Sequence, residues 1–123
     1  MAEDDDGPVV ADNPARAETR REFESALALA KAEDNAAALA SFLHVLEMPE
    51  LPARGYDSCM ANIAICAHRV GDHPTALFYA AMCLDSASPN LQAQRVSFLE
   101  MFFSSYKGQI GMTSFYNPYN EYE

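Results

Sequence analysis

Apolar residues recur at helical spacing in several segments of the chain. In the stretch MANIAICAHRVGDHPTALFYAAMCLDSASPN, residues 60–90, Met60, Ile63, Ala64 and Ala67 recur at helical spacing, and so do Ala76, Leu77, Ala80, Cys83 and Leu84. Each segment therefore presents one apolar stripe, the pattern of a helix that packs on one side. Between them, Gly71 tolerates the left-handed backbone of a helix end, Asp72 can cap the next helix, and Pro74 fits its first turn. These signals predict two short helices folded into an antiparallel hairpin.

A second hairpin is predicted ahead of it. Asn13 and Pro14 start a helix that runs to about residue 32, with Phe23, Ala26, Leu27 and Ala30 as its stripe. Glu33, Asp34 and Asn35 interrupt the pattern, and residues 36–48 resume it with Leu39, Phe42, Leu43 and Leu46. Aligning Asp34 with Asp72 sets Ala26 opposite Ala64, Ala38 opposite Ala76, Phe42 opposite Ala80 and Leu46 opposite Leu84. Residues 49–55 hold Pro49 and Pro52, which forbid continuous helix there. Ser88, Pro89 and Asn90 end the fourth helix and cap a fifth, expected from residue 91 to about Lys107, just before Gly108. Its apolar residues are Leu91, Val96, Phe98, Leu99, Phe102 and Phe103.

The better hairpin resembles a tetratricopeptide repeat (TPR), a helical pair with a period of about 34 residues. Asn62, Ile63 and Ala64 stand where that family usually has Asn-Leu-Gly, Gly71 and Asp72 match its inter-helix turn, and Ala76, Cys83 and Leu84 match small and aliphatic positions. Ala67 and Ala80 replace the family's large aromatics, and the first repeat runs about four residues over the period, the surplus falling in 49–55. The resemblance implies an all-α fold: two TPR-like antiparallel hairpins plus a C-terminal helix that covers the open end of the stack. Small Ala64 and Ala76 would let the paired helices approach closely. The expected organisation is an acidic tail over 1–13, a helical domain over 14–107 and an aromatic tail over 108–123.

Charge and chemistry narrow the function. The chain has 123 residues and a net charge of −10, which disfavours nucleic-acid backbones and anionic membranes and, where charge matters, favours a basic partner. The first residues have neither a basic segment nor an apolar core of signal-peptide length, and no apolar run reaches the ~18 residues of a membrane span, so a cytoplasmic protein is expected. Cys59, Cys66 and Cys83 lie on or near the apolar sides of predicted helices and read as small buried thiols. Cys66 and His68 diverge on their helix, and His68 and His73 flank the Gly71 turn without a ligand pattern around them, so neither a metal nor another cofactor is expected. Without a phosphate loop, a nucleophile elbow or isolated paired carboxylates, the chain does not read as an enzyme.

In TPR arrays the first helix of each hairpin lines a concave groove. The resemblance carries that role to Arg20, Phe23, Leu27 and Lys31 in the first helix and to Ser58, Ala61, Asn62, Ile65, His68 and Arg69 in the third. Such a groove suits an extended or helical peptide with one or two apolar anchors and a carboxylate for Arg20, Lys31 or Arg69. Repeats that clamp a chaperone's C-terminal carboxylate need Lys and Asn where this chain has Phe23 and Leu27, and only Asn62 matches. The expected function is a non-catalytic protein–protein interaction module, an adaptor or chaperone. In size, charge and architecture the chain is also similar to the small acidic chaperones of type III secretion. Alternatives are an acidic immunity or antitoxin protein, and a self-associating structural subunit that docks through Phe115, Tyr116, Tyr119 and Tyr122.

Overall fold

The computed structural model of the chain describes residues 13–113, with side chains described over 13–108. Among these residues the fold is all-α, with no strand and six helices: α1 (Pro14–Lys31), α2 (Asn35–Leu46), α3 (Ala53–Val70), α4 (His73–Asp85), α5 (Pro89–Gln92) and α6 (Arg95–Thr113). No helix among them is long and apolar enough to cross a membrane.

The first four helices begin and end on local chemistry. Asn13 accepts the amide of Arg16 at 3.1 Å and Pro14 occupies the first helical position, so α1 starts with one orphan donor satisfied and another absent. The α1–α2 and α3–α4 turns share one hydrogen-bond pattern. The Asp34 amide donates to the Leu29 carbonyl and the Glu33 amide to Ala30; correspondingly, Asp72 donates to Ala67 and Gly71 to His68. This is the paired closure of a left-handed helix end. Gly71 takes it at φ +81°, whereas in the first turn Glu33 is forced to φ +64°. Each aspartate then caps the next helix: Asp34 accepts from the Ala37 amide and Asp72 from the Thr75 amide.

Packing follows chain order. α1 lies on α2, α2 on α3, α3 on α4 and α4 on α6, with α6 also reaching α3. Ala26, Ala38, Ala64, Ala67, Ala76 and Ala80 are fully buried, so the helices meet with no side chain longer than a methyl at those points. One core joins Ala26, Ala38, Phe42, Val45, Cys59, Ile63 and Cys66; a second joins Ala61, Cys83, Leu91 and Phe98. Phe42, Ile63 and Phe98 are wholly withdrawn from water, each burial contributing about 1.5–3 kcal/mol.

Three expectations change. Helix α3 starts at Ala53, inside the segment assigned to a break, because Pro52 serves as its N-cap and its carbonyl accepts the Gly55 and Tyr56 amides. The expected fifth helix is two: the single turn of α5, then α6 after a bend at Ala93 and Gln94. Helix α6 also passes Gly108 and continues to Thr113. Gly108 is a point of contact instead of a stop: a Cβ there would lie 2.5 Å from Nε2 and 2.9 Å from Nδ1 of His73. Because α6 turns Phe98, Ser105 and Gly108 toward α3 and α4, Val96 and Phe103 face outward, 69% and 57% exposed.

Candidate functional site

An open cleft of about 1040 Å³ runs along α1. One face of that helix supplies Arg16, Thr19, Arg20, Phe23 and Leu27, whose spacing returns each to the same side. The opposite wall is the α2–α3 connection, with Glu50, Leu51 and Pro52, followed by the first turns of α3 with Ala53, Arg54, Gly55 and Ser58; Asn90 also lines the cleft.

Both walls are tied to the scaffold. Thr19, 1% exposed, donates its hydroxyl to the Pro49 carbonyl at 2.6 Å, which fastens the connection to α1. Ser88 donates to the Asp57 carboxylate at 2.6 Å and holds the chain ahead of α5 against α3. Gly55 matters because Leu51 folds over it: a Cβ there would meet Leu51 Cδ1 at 2.6 Å. The floor is apolar. Half-buried Phe23, Leu27 and Leu51 rest on the first core, and the Phe23 ring meets Phe42 edge to face with centroids 6.1 Å apart.

Around that floor stand Arg16, Arg20 and Arg54. Arg16 lies 3.6 Å from Glu50, with both side chains more than a third exposed, so the pair is screened and contributes little. Arg20 and Arg54 are exposed and have no carboxylate partner among the described residues. The cleft therefore offers guanidinium groups beside apolar surface, the combination that holds a carboxylate-bearing chain with an aliphatic or aromatic anchor.

Of the expected groove residues, Arg20, Phe23, Leu27 and Ser58 meet in this cleft. The others do not join them. Lys31 is exposed in the last turn of α1. Ala61 is buried in the second core. The Asn62 side-chain amide donates back to the Ser58 carbonyl at 2.8 Å, Ile65 is half-buried, and Arg69 reaches Asn35 at 3.5 Å. His68 Nδ1 sits 3.5 Å from the hydroxyl of fully buried Ser105 on α6. The aromatic set Phe115, Tyr116, Tyr119 and Tyr122 lies outside the described residues. Sequence reasoning missed Arg16, Thr19, Arg54 and Asn90. The Arg16–Arg20 spacing of one helical turn was a usable signal, but nothing local indicates that Arg54 returns to face it.

The remaining reactive groups belong to the packing. His68 and His73 both face α6, and His73 Nδ1 is buried without a hydrogen-bond partner. Cys59, Cys66 and Cys83 are free and buried. Burial pushes the Cys59 thiol up to about 11. Burial, with the Asp57 carboxylate adding to it, pushes Cys83 up to about 12. Cys66 is raised by burial and partly offset by Arg69. These thiols are poor nucleophiles at neutral pH. Among the described residues, no group of three or more His, Cys, Asp or Glu is placed to hold a metal ion.

Comparison of the chain with protein-family models, with curated proteins and with solved structures found no match.

Proposed function

We propose that this chain is a non-catalytic binding module, an adaptor or chaperone built from two TPR-like hairpins, whose cleft along α1 takes an acidic protein segment with one or two apolar anchors. The repeat reading is supported by the two like turns around Asp34 and Asp72 and by the paired buried alanines Ala26 with Ala64 and Ala38 with Ala76. The observation that carries the binding reading is the cleft's local charge. Three of the chain's eight cationic residues border it against one carboxylate, Glu50, although the whole chain carries −10. Net charge steers a distant partner, but groups at contact distance decide what is held. An acidic segment therefore fits the cleft better than the basic partner suggested by net charge.

The test is fluorescence anisotropy with labelled peptides of about ten residues that carry two leucines flanked by either aspartates or lysines. The aspartate peptide is expected to bind at least about tenfold more tightly at low salt. Arg20→Glu with Arg54→Glu, both at exposed positions, should reverse that order while leaving the helical circular dichroism intact. Equal binding of the two peptides, or a preference for lysines, would reject the reading.

One observation favours the second reading, a self-associating subunit. Exposed Val96 and Phe103, with half-buried Leu99 between them, form an apolar stripe on α6. Sedimentation velocity distinguishes the two: an assembly that Phe103→Asp dissolves supports the subunit, and a monomer at all concentrations removes it.

A further inference from the structure

We infer that the acidic arm of residues 1–12 docks in the cleft of its own chain, as a built-in competitor for the segment that the cleft captures. This rests on the cleft being a peptide-binding surface, and three features of the chain carry it further.

The first is position. The arm joins the fold at Asn13, whose side chain caps the amide of Arg16, and Arg16 is the first cleft residue of α1. The arm thus enters at the mouth of the cleft. The C-terminal end of the described fold lies away from it, since Gly108 packs on His73 beyond the C-terminus of α3 while the cleft borders the first turns of α3.

The second is composition. Residues 1–12 contain Glu3, Asp4, Asp5, Asp6 and Asp12 with no Lys or Arg, together with Val9 and Val10. Carboxylates and two aliphatic side chains are what Arg16, Arg20 and Arg54 around Phe23, Leu27 and Leu51 would select.

The third is length. From Arg16 to Leu27 the helix is about 16 Å long, while twelve extended residues span about 40 Å. Val9 and Val10 stand four and three residues from Asn13 and reach about 10–14 Å from it, enough to meet the side chain of Phe23, whose backbone lies about 15 Å along α1. Asp4, Asp5 and Asp6, seven to nine residues from Asn13, have a reach of about 23–32 Å, more than the distance along α1 to Arg20, and Arg54 borders the same cleft.

A tether this short gives the arm an effective concentration of the order of 1 mM at the cleft. An arm with a trans dissociation constant of about 0.1 mM would then be about 90% docked and would weaken capture of an outside peptide about tenfold.

The experiment is paramagnetic relaxation enhancement on the full chain with a spin label at Ala2→Cys. The native thiols are buried, two of them pushed up to about 11 and about 12, so the introduced thiol reacts selectively at neutral pH. The expected result is broadening of the amides of residues 19–27 and 53–58. That broadening should be lost in about 1 M salt and in the variant carrying Arg20→Glu and Arg54→Glu. It should also be absent when isotope-labelled chain without the spin label is mixed with spin-labelled, isotope-free chain. Broadening in that mixed sample would assign the occupant to a second copy and overturn docking in cis, as would broadening elsewhere or none. In each of those cases the same chain is titrated with the aspartate-flanked leucine peptide. Shifts at the cleft amides then mean that the arm inference alone has failed, and their absence means that the cleft reading has failed with it.

Discussion

Replacing Gly108 by alanine tests whether this glycine serves contact or helix termination. In an exposed helix interior, Gly→Ala gains about 0.8–1.0 kcal/mol from backbone entropy. At Gly108 the added methyl would sit 2.5 Å from Nε2 and 2.9 Å from Nδ1 of His73, well inside van der Waals contact. The imidazole is short, half-buried and held at the first position of α4, so relief requires the ring or α6 itself to move. Overpacking of this kind costs about 1–3 kcal/mol. Gly108→Ala is therefore expected to destabilise the protein by about 1 kcal/mol net. His73→Ala removes the obstacle, and on that background Gly108→Ala should stabilise by about 0.8–1.0 kcal/mol. The coupling between the two positions is then about 2 kcal/mol. Urea unfolding followed by far-ultraviolet circular dichroism suits a chain without tryptophan, and the slope of the transition checks that the unfolded state is unchanged. If Gly108→Ala stabilises the wild-type background as much as the His73→Ala background, the two residues are not in contact and the placement of α6 on α4 is wrong.

Other substitutions address the turns, the cleft and the thiols. Glu33→Gly should stabilise by about 0.5–1 kcal/mol, because a non-glycine residue at φ +64° carries left-handed strain; a lower urea midpoint would show that the turn is not closed as described. Thr19→Val keeps shape but removes the donor to the Pro49 carbonyl. It should cost about 1 kcal/mol and weaken peptide capture through a looser cleft wall, seen as faster amide exchange over residues 49–55. Cys59 and Cys83 have folded-state values near 11 and 12, above the ordinary 9.0, so the folded chain keeps protons that the unfolded chain releases. Their contribution to stability is full below pH 9 and falls as pH rises from 9 toward 11–12. Serine at both positions should flatten that part of the stability–pH curve, and an unchanged curve would mean that the thiols are not buried.

What was legible in the sequence is the chemistry that acts over a few residues. Asn13 with Pro14, and Gly71 with Asp72 and Pro74, specify helix ends through their own side chains and backbone preferences, and α1 and α4 begin where those residues stand. Glycine at 108 carries the same local signal for a helix end, but its role is decided by His73, which reaches it from another helix. Pro52 likewise looks like a break, and becomes a helix start because its carbonyl accepts two amides of the next turn. On α6 several apolar residues compete for one buried face, and Phe98 takes it at the expense of Val96 and Phe103. The cleft divides in the same way. Arg20, Phe23 and Leu27 share a face of one helix and could be grouped from spacing alone, whereas Arg54 meets them only because Thr19 fastens the connection at Pro49.

The contrast between whole-chain and local charge has a consequence for regulation. Net charge attracts a cation to the molecule at large, yet the five acidic residues of the arm are also the groups best matched to the arginine-lined cleft. If the arm lies in the cleft, a basic partner that binds those carboxylates withdraws them from Arg20 and Arg54 and frees the cleft for an acidic segment. The two ligands then help each other, and linkage requires the same factor in both directions. The factor cannot exceed the autoinhibition itself, about tenfold for the effective concentration above. A lysine-rich peptide at saturation should therefore tighten capture of the aspartate-flanked leucine peptide in the full chain and leave it unchanged when the five arm acids are replaced by amides. Tightening in both proteins would mean that the basic ligand acts on the folded body, and that the acidic arm and the cleft are energetically independent.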